Sequence, residues 1–518
     1  EAPNDSILYK NLNIHYYDKL QVRPNMLYRW MNYQQFVRSK QMRASNRTRL
    51  YSQYRQEQVQ EKLSQLGIFS YLDMQYAPRD TTAACDTLDV TMQATFAKPL
   101  DAELELNVVT KSNDQTGPGA SFGVTRNNVF GGGESWNVKL KGSYEWQTGG
   151  GEKSSLMNSW EMGLSTSLTF PRVVFPHLGK REFDFPATTT FRLYINQLNR
   201  AKYYKLLSFG GNATYDFQPS RTSRHSITPF KLTFNVLQHQ SAEFEKIAEA
   251  NPALYVSLRN QFIPAMEYTY TYDNASVRRI KNPIWWQSTV TSAGNITSLI
   301  YRAFGKPFNE EDKSLLGAPF AQFVKLNTEL RHLWNIDKNN AIASRVAVGA
   351  LFTYGNATIA PYSEQFYVGG ANSIRAFTVR SVGPGGYHPE EGKYSYLDQT
   401  GTFRFEANVE YRFRIFKSFW GATFLDAGNV WLLRKDRKLL ADGKEARPDS
   451  QLRLKTFPKQ IALGTGVGIR YDMDILVFRL DFGIPLHLPY DTDRSGYYNV
   501  TGAFFKNLGI HFAIGYPF

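Results

Sequence analysis

The chain has a single cysteine, Cys85, in 518 residues, so no disulfide can form within it; that economy fits an oxidising compartment where unpaired thiols are kept few. It also lacks long apolar runs. No stretch approaches the roughly 18 apolar residues that a spanning helix needs, which excludes a helical membrane protein. Histidines are few, eight in all and scattered, without the spacing of metal ligands. Phosphate-loop chemistry is missing too: neither Gly131–Gly133 nor Gly149–Gly151 sets a glycine directly before Lys-Ser/Thr in the spacing of a phosphate loop, and both read as hairpin turns. Gly119-Ala120-Ser121-Phe122-Gly123 has the form of a nucleophile elbow, but it follows a Gly-Pro-Gly turn inside an alternating segment, not the strand–turn–helix that chemistry requires. The expectation is no enzyme, no cofactor and no metal. The opening residues Glu1-Ala2-Pro3-Asn4-Asp5-Ser6 are not a signal peptide, which points to a removed leader or an excised piece.

What is abundant is the aromatic side chain: 36 Phe, 31 Tyr and 9 Trp, 15% of the chain. Such an excess of amphipathic rings is what the girdles of a transmembrane β-barrel require. The formal net charge is +14, with Lys and Arg spread throughout. No recognition motif or basic helical stripe accompanies it, so a nucleic-acid partner is not expected; phosphate-bearing membrane lipids are. A basic run, Arg38, Lys40, Arg43, Arg47 and Arg49, reads as a solvated face, with lipid headgroups or a partner protein as the sharper alternative. Asp273-Asn274 and Asp472-Met473-Asp474 imitate calcium ligands but read as turns.

The chain divides near residue 98. Residues 1–97 read as mixed α/β: a strand over Asn11–Asp18, a helix from about Asn25, a second helix over Ser52–Gln65 with Val59, Leu63 and Leu66 on one face, and Gly67 where a left-handed cap belongs. Strands Ile68–Tyr76 and Asp86–Ala94 follow. The order β-α-α-β-β describes one small sheet with two helices.

Residues 98–518 have a different texture, segments of about 9–16 residues that alternate in polarity between turn clusters. Phe403, Ala407, Val409, Tyr411, Phe413 and Ile415 share one face; Arg404, Glu406, Asn408, Glu410, Arg412 and Arg414 share the other. Lys325, Asn327, Glu329 and Arg331 share a face of Phe320–Trp334, as do Gly464, Gly466, Gly468 and Arg470 of Ile461–Tyr471. About sixteen such segments lie between Leu100 and Phe518, and an even number of antiparallel strands, apolar outside and polar inside, is the signature of an outer-membrane barrel. In the last segment Leu508, Ile510, Phe512, Ile514, Tyr516 and Phe518 alternate with small or polar residues. Gly509 and Gly515 weaken its packing and Pro517 removes a donor, so the seam between first and last strands is expected to be poorly bonded.

One stretch breaks the alternation. Gly369–Pro384 carries Ile374-Arg375-Ala376-Phe377 in a loop too rich in Gly and Pro for regular structure, and Glu410 and Asp426 follow on strand-like segments. The segments Gly369–Pro384, Asn408–Phe413, Phe424–Trp431 and Gly464–Arg470 resemble, in order and spacing, the blocks of the BamA/TamA superfamily of outer-membrane assembly proteins. Arg126–Gly133 resembles the family's first hairpins, and Leu66-Gly67-Ile68-Phe69 the helix-ending turn of a POTRA domain.

The resemblance implies a POTRA-like periplasmic domain over 1–97 and a 16-stranded antiparallel transmembrane β-barrel over 98–518, in the outer membrane of a Gram-negative bacterium. It implies that Arg375 reaches inward to Glu410 and Asp426. It also implies a non-catalytic role in inserting outer-membrane proteins: a client strand would pair with the edge at Leu100–Val109, and the weak seam strand (Leu508, Gly509, Gly515, Phe518) would let the barrel open. Implied partners are unfolded outer-membrane protein clients, outer-membrane lipids or lipopolysaccharide, and periplasmic or lipoprotein accessory subunits. The family loop reads Val/Ile-Arg-Gly-Phe/Tyr; Ala376 replaces its glycine, so the backbone there should avoid positive φ. Three alternatives stay open: a TamA-like subunit working with an inner-membrane-spanning partner, a two-partner secretion translocator, which would usually carry more POTRA sequence and a plug helix, and a passive pore, against which the long loop Pro361–Gln399 argues.

Overall fold

The computed structural model describes residues 3–518 except 11, 32–52, 83–84, 86, 111–114, 148–158, 176–185, 201–203, 243–244, 246–259, 276–279, 309–312, 316–317, 357–359, 390–398, 436–446, 474–476 and 503–506. The basic run Arg38–Arg49, the Gly149–Gly151 turn and Asp474 lie outside the described residues.

The N-terminal unit holds β1 (Asp5–Tyr9), β2 (Leu12–Tyr16), α1 (Pro24–Met31), α2 (Gln53–Gln65), β3 (Phe69–Pro78) and β4 (Leu88–Phe96). Pro24 opens α1, where its fixed φ suits a first helical turn and its missing N–H is no loss. Gly67 takes φ +67° just past α2. The expected single small sheet is corrected: β1 pairs only with β2 and β3 only with β4, giving two two-stranded sheets. β1 was not anticipated because its turn into β2 uses Lys10 at φ 56°, a residue type that gives no turn signal. Val22, Met26, Leu27 and Ile68 form a core against Leu12, Ile14, Phe69 and Met92, so α1 joins the two hairpins. Val59 and Leu63 of α2 pack on Met74, while Gln56 and Gln60 donate to the carbonyls of Met74 and Leu72, at 3.2 and 3.1 Å.

The remainder is one antiparallel sheet of sixteen strands. In chain order it contains β5 (Leu100–Thr110), β6 (Gln115–Asn127), β7 (Ser135–Gln147), β8 (Ser159–Phe170), β9 (Ala187–Arg200), β10 (Tyr204–Ser220), β11 (Ser223–Gln240), β12 (Gln261–Asp273) and β13 (Ile284–Ala293). The helix α3 (Asn295–Ala303) and the short hairpin β14 (Ser314–Leu315) and β15 (Ala318–Pro319) interrupt the series. It resumes with β16 (Phe323–Asn335), β17 (Asn340–Thr353), β18 (Phe403–Phe416), β19 (Phe419–Trp431), β20 (Ala462–Asp472), β21 (Val477–His487) and β22 (Gly509–Ile514). The sheet order runs from β22 at one end to β5 at the other.

The sheet is inside out by the standard of a water-soluble fold. On β18, Glu406, Asn408 and Glu410 are buried while Val409, Tyr411, Phe413 and Ile415 are exposed. Leu104 and Leu106 on β5, Leu193 on β9 and Phe230 on β11 are likewise exposed. Apolar residues in such numbers on one face need a non-aqueous surrounding. Among the described residues no helix is long and apolar enough to cross a membrane.

The segment Arg126–Gly133 comprises the end of β6 and the β6–β7 turn, and that turn makes contact with the N-terminal unit. Arg23 N–H donates to the Gly131 carbonyl at 2.7 Å, and Asn128 Nδ2 donates to the Gln21 carbonyl at 2.8 Å. Asn128, Gly131 and Gly133 all take positive φ there. Ser121 sits mid-strand in β6 and donates to Glu105 at 3.1 Å.

Candidate functional site

The strand period decides which side chains meet. Glu406, Asn408, Glu410 and Arg412 have one parity on β18, and register places Asn408 opposite Asp426 and Glu410 opposite Phe424. Further across, Phe424 faces Gly466, Gly468 faces Asp481 and Arg470 faces Arg479. Four adjacent strands therefore present one continuous polar patch on the buried face.

The loop between β17 and β18 descends onto this patch. It folds on itself first: the Gly370 N–H donates to the Phe377 carbonyl at 2.7 Å, and the Ser373 N–H to the Gly370 carbonyl at 3.0 Å. Gly369, at φ +102°, could hold no side chain, since a Cβ there would come 2.0 Å from the Thr378 carbonyl oxygen. Ile374, Arg375, Ala376 and Phe377 are all buried.

Arg375 meets two carboxylates. Its Nε donates to Asp426 Oδ2 at 2.8 Å and its Nη2 to Oδ1 at 2.9 Å, a bidentate fork that Lys could not reproduce. The Arg375 backbone N–H donates to the same Oδ2 at 3.0 Å. Its Nη1 donates to Glu410, and the guanidinium lies 3.6 Å from the Phe424 ring centroid. Burial opposes the Arg375 charge, but its hydrogen bonds to Asp426 and the charges of Asp426 and Glu410 outweigh it, holding its pKa above the ordinary value.

Glu410 is shared. Arg412 Nε donates to its Oε1 at 2.7 Å and Arg470 Nη2 to its Oε2 at 3.1 Å. Arg470 also pairs with Asp481 at 2.6 Å, and Arg479 with Asp481 at 3.1 Å. Sequence reasoning missed Arg479 and Asp481, and it listed Arg470 only as one residue of a strand face; each is a single polar residue at a regular alternating position. It also missed the second anchor of the loop, where Ser373 Oγ donates to Glu406 at 2.8 Å, Asn408 Nδ2 to the Ser373 carbonyl at 2.8 Å and Arg345 Nη1 to the Asn372 carbonyl at 3.0 Å.

Glycines make the floor. A Cβ at Gly464 would come 2.3 Å from the Ala376 methyl, and one at Gly483 would come 2.6 Å from the Arg375 carbonyl oxygen. Among the described residues, the non-glycine residues at positive φ are Lys10, Asp18, Asn128, Arg380, Lys417 and Asp449; Ala376 is not among them, and its methyl fills the hollow above Gly464.

The C-terminal residues are not one continuous strand. β22 runs only over Gly509–Ile514 and stops where Gly515 turns at φ +87°; Leu508, Tyr516 and Phe518 lie outside it. The tail instead meets Arg412, whose guanidinium stands 4.3 Å from the Tyr516 ring centroid and donates from Nη2 to the Phe518 backbone oxygen at 3.3 Å.

Residues 128–518 match the model of the Omp85 superfamily domain. Among solved structures, the chain is similar to BamA from Haemophilus ducreyi lacking POTRA domains 1–3, at 14% identity and a TM-score of 0.60, covering 95% of this chain and 81% of that one. It also matches CdiB from Acinetobacter baumannii at 12% identity and a TM-score of 0.48, covering 95% of this chain and 71% of that one.

Proposed function

The chain belongs to the Omp85 superfamily, a family of outer-membrane proteins of Gram-negative bacteria, and we propose that it folds and inserts other outer-membrane proteins through the seam between β5 and β22. In this reading the sixteen strands close into a barrel whose apolar face meets lipid. Residues 1–97 are a POTRA-like unit on the periplasmic side, and residues 98–518 are the barrel. The docked Arg375 loop occupies the lumen.

The observation that carries the reading is the inequality of the two end strands. β5 pairs with β6 through eleven residues, Leu100 to Thr110, whereas β22 has six residues and leaves Ile484–His487 of β21 beyond its ladder. A short, glycine-bounded end strand is the cheapest element to part from its neighbour. The long edge of β5 then offers a client a row of backbone donors and acceptors. Unfolded outer-membrane proteins are the clients, with membrane lipid and periplasmic or lipoprotein subunits as accessory partners.

Cysteine pairs joining Leu104 or Leu106 of β5 to Ile510 or Phe512 of β22, all on the exposed apolar face, in a Cys85→Ser background, test the proposal in liposomes. Oxidation should stop insertion of a barrel client, measured by its protease protection, and a reductant should restore it. Unchanged insertion by the cross-linked protein refutes the seam mechanism, and failure of every pair to cross-link refutes the closed seam.

A further inference from the structure

The helix α3 is amphipathic with its faces reversed. Thr297, Ser298 and Tyr301 point at the protein, and Ile296, Leu299, Ile300 and Phe304 are exposed. The polar side is fixed: buried Ser298 donates to Gln322 at 2.9 Å, buried Lys313 donates to Ser298 at 3.1 Å, and Asn295 donates to Ser292 at 2.8 Å. The Tyr301 ring packs 6.1 Å from Phe320. A fraying surface helix would not keep its hydroxyls inside and four large apolar residues outside.

Three observations say what covers that face. The helix follows β13 after the single turn at Gly294, φ +69°, so its apolar arc continues the exposed Val290 of β13 and Leu326 of β16. Its exposed Arg302 and Lys306 border the arc, and residues 294–306 contain no Asp or Glu. β13 is the ninth strand of the sheet, running away from the β6–β7 turn that touches the N-terminal unit, so α3 sits at the far end of the strands.

We propose that α3 lies in the plane of the membrane interface at the end of the sheet remote from the N-terminal unit, with Ile296, Leu299, Ile300 and Phe304 among acyl chains and Arg302 and Lys306 on phosphate-bearing lipid headgroups. This rests on the reading of the sheet as membrane-spanning. The arrangement follows the physics of interfacial helices: an apolar face sunk into the acyl boundary, and basic side chains reaching back to headgroup phosphates.

The test uses the full chain, Cys85→Ser, reconstituted in vesicles of phosphatidylcholine with phosphatidylglycerol, spin-labelled singly at Leu299→Cys, Leu330→Cys or Lys338→Cys. Oxygen and a water-soluble nickel chelate report depth. Leu330 on the exposed face of β16 should be oxygen-accessible and Lys338, in the β16–β17 turn, nickel-accessible; a nickel-accessible Leu330 overturns the membrane reading itself. The label at Leu299 should lie about 5–10 Å below the phosphates, and Arg302→Gln with Lys306→Gln should move it outward by several ångströms. A lipid-facing Leu330 beside a nickel-accessible Leu299 overturns the proposal. So does a Leu299 shielded from both reagents, which would place a second copy of the chain on the helix, or a depth that ignores the two substitutions.

Discussion

At the level of single residues, lifting the loop would affect the two carboxylates that hold Arg375 unequally. Glu410 keeps Arg412 and Arg470, each within hydrogen-bond distance. Among the described residues, Asp426 keeps only the Asn408 Nδ2 donor, at 2.9 Å. Removing one partner of a buried ion pair costs about 3–5 kcal/mol, chiefly because the other charge is stranded. Arg375→Ala should therefore lower stability by about that amount, read as a drop in the temperature at which the heat-modifiable band unfolds on gels. Asp426→Asn in the same chain should recover part of the loss, because the stranded charge is gone; an additive double mutant refutes this assignment. The floor gives an independent check. Gly464→Leu would drive a side chain into the Ala376 methyl, and overpacking of this kind typically costs about 1–3 kcal/mol. It should expose the loop to protease with Arg375 intact; unchanged protection would mean the loop does not rest there.

At the level of elements, the hydrophobic period made the sheet legible and turn chemistry limited the rest. Alternation such as Val409, Tyr411, Phe413 against Asn408, Glu410, Arg412 survives in a single sequence because each strand is amphipathic over its whole length. The Arg375 site was partly legible for a different reason: an arginine in a glycine-rich loop stands out, and Glu410 and Asp426 follow it at motif spacing. Arg479 and Asp481 carried no such mark, since only the register that lays β21 beside β20 brings them to Arg470. Parity was the available signal, with Gly464, Gly466 and Gly468 sharing a face with Arg470, but it did not show that the glycines make room for a loop. The helix α3 was not foreseen, its nine residues being too few for a clear period. The end of β22 depends on one glycine at φ +87°, which pattern alone does not place. Beyond that glycine the tail is held by Arg412, and cation–π contacts of this kind contribute about 0.5–2 kcal/mol. Tyr516→Ala should thus speed hydrogen exchange of the β22 amides while leaving β18 amides unchanged; equal exchange in both variants would detach the tail from the seam.

At the level of the whole molecule, the loop and the polar face together predict an occluded lumen. In planar bilayers the intact protein should show low conductance with brief openings. Deleting residues Gly370–Arg380 should produce a larger and steadier one. A steady, large conductance from the intact chain would favour a passive pore. The charges named at the site bear on what remains when the loop withdraws. Docked, the cluster contains four arginines, Arg375, Arg412, Arg470 and Arg479, against three acids, Glu410, Asp426 and Asp481. The loop contributes only Arg375. Without it the wall keeps three positive and three negative groups and is electroneutral as a whole, so the loop behaves as a removable stopper whose withdrawal leaves one local charge, Asp426, for water or a passing cation to meet.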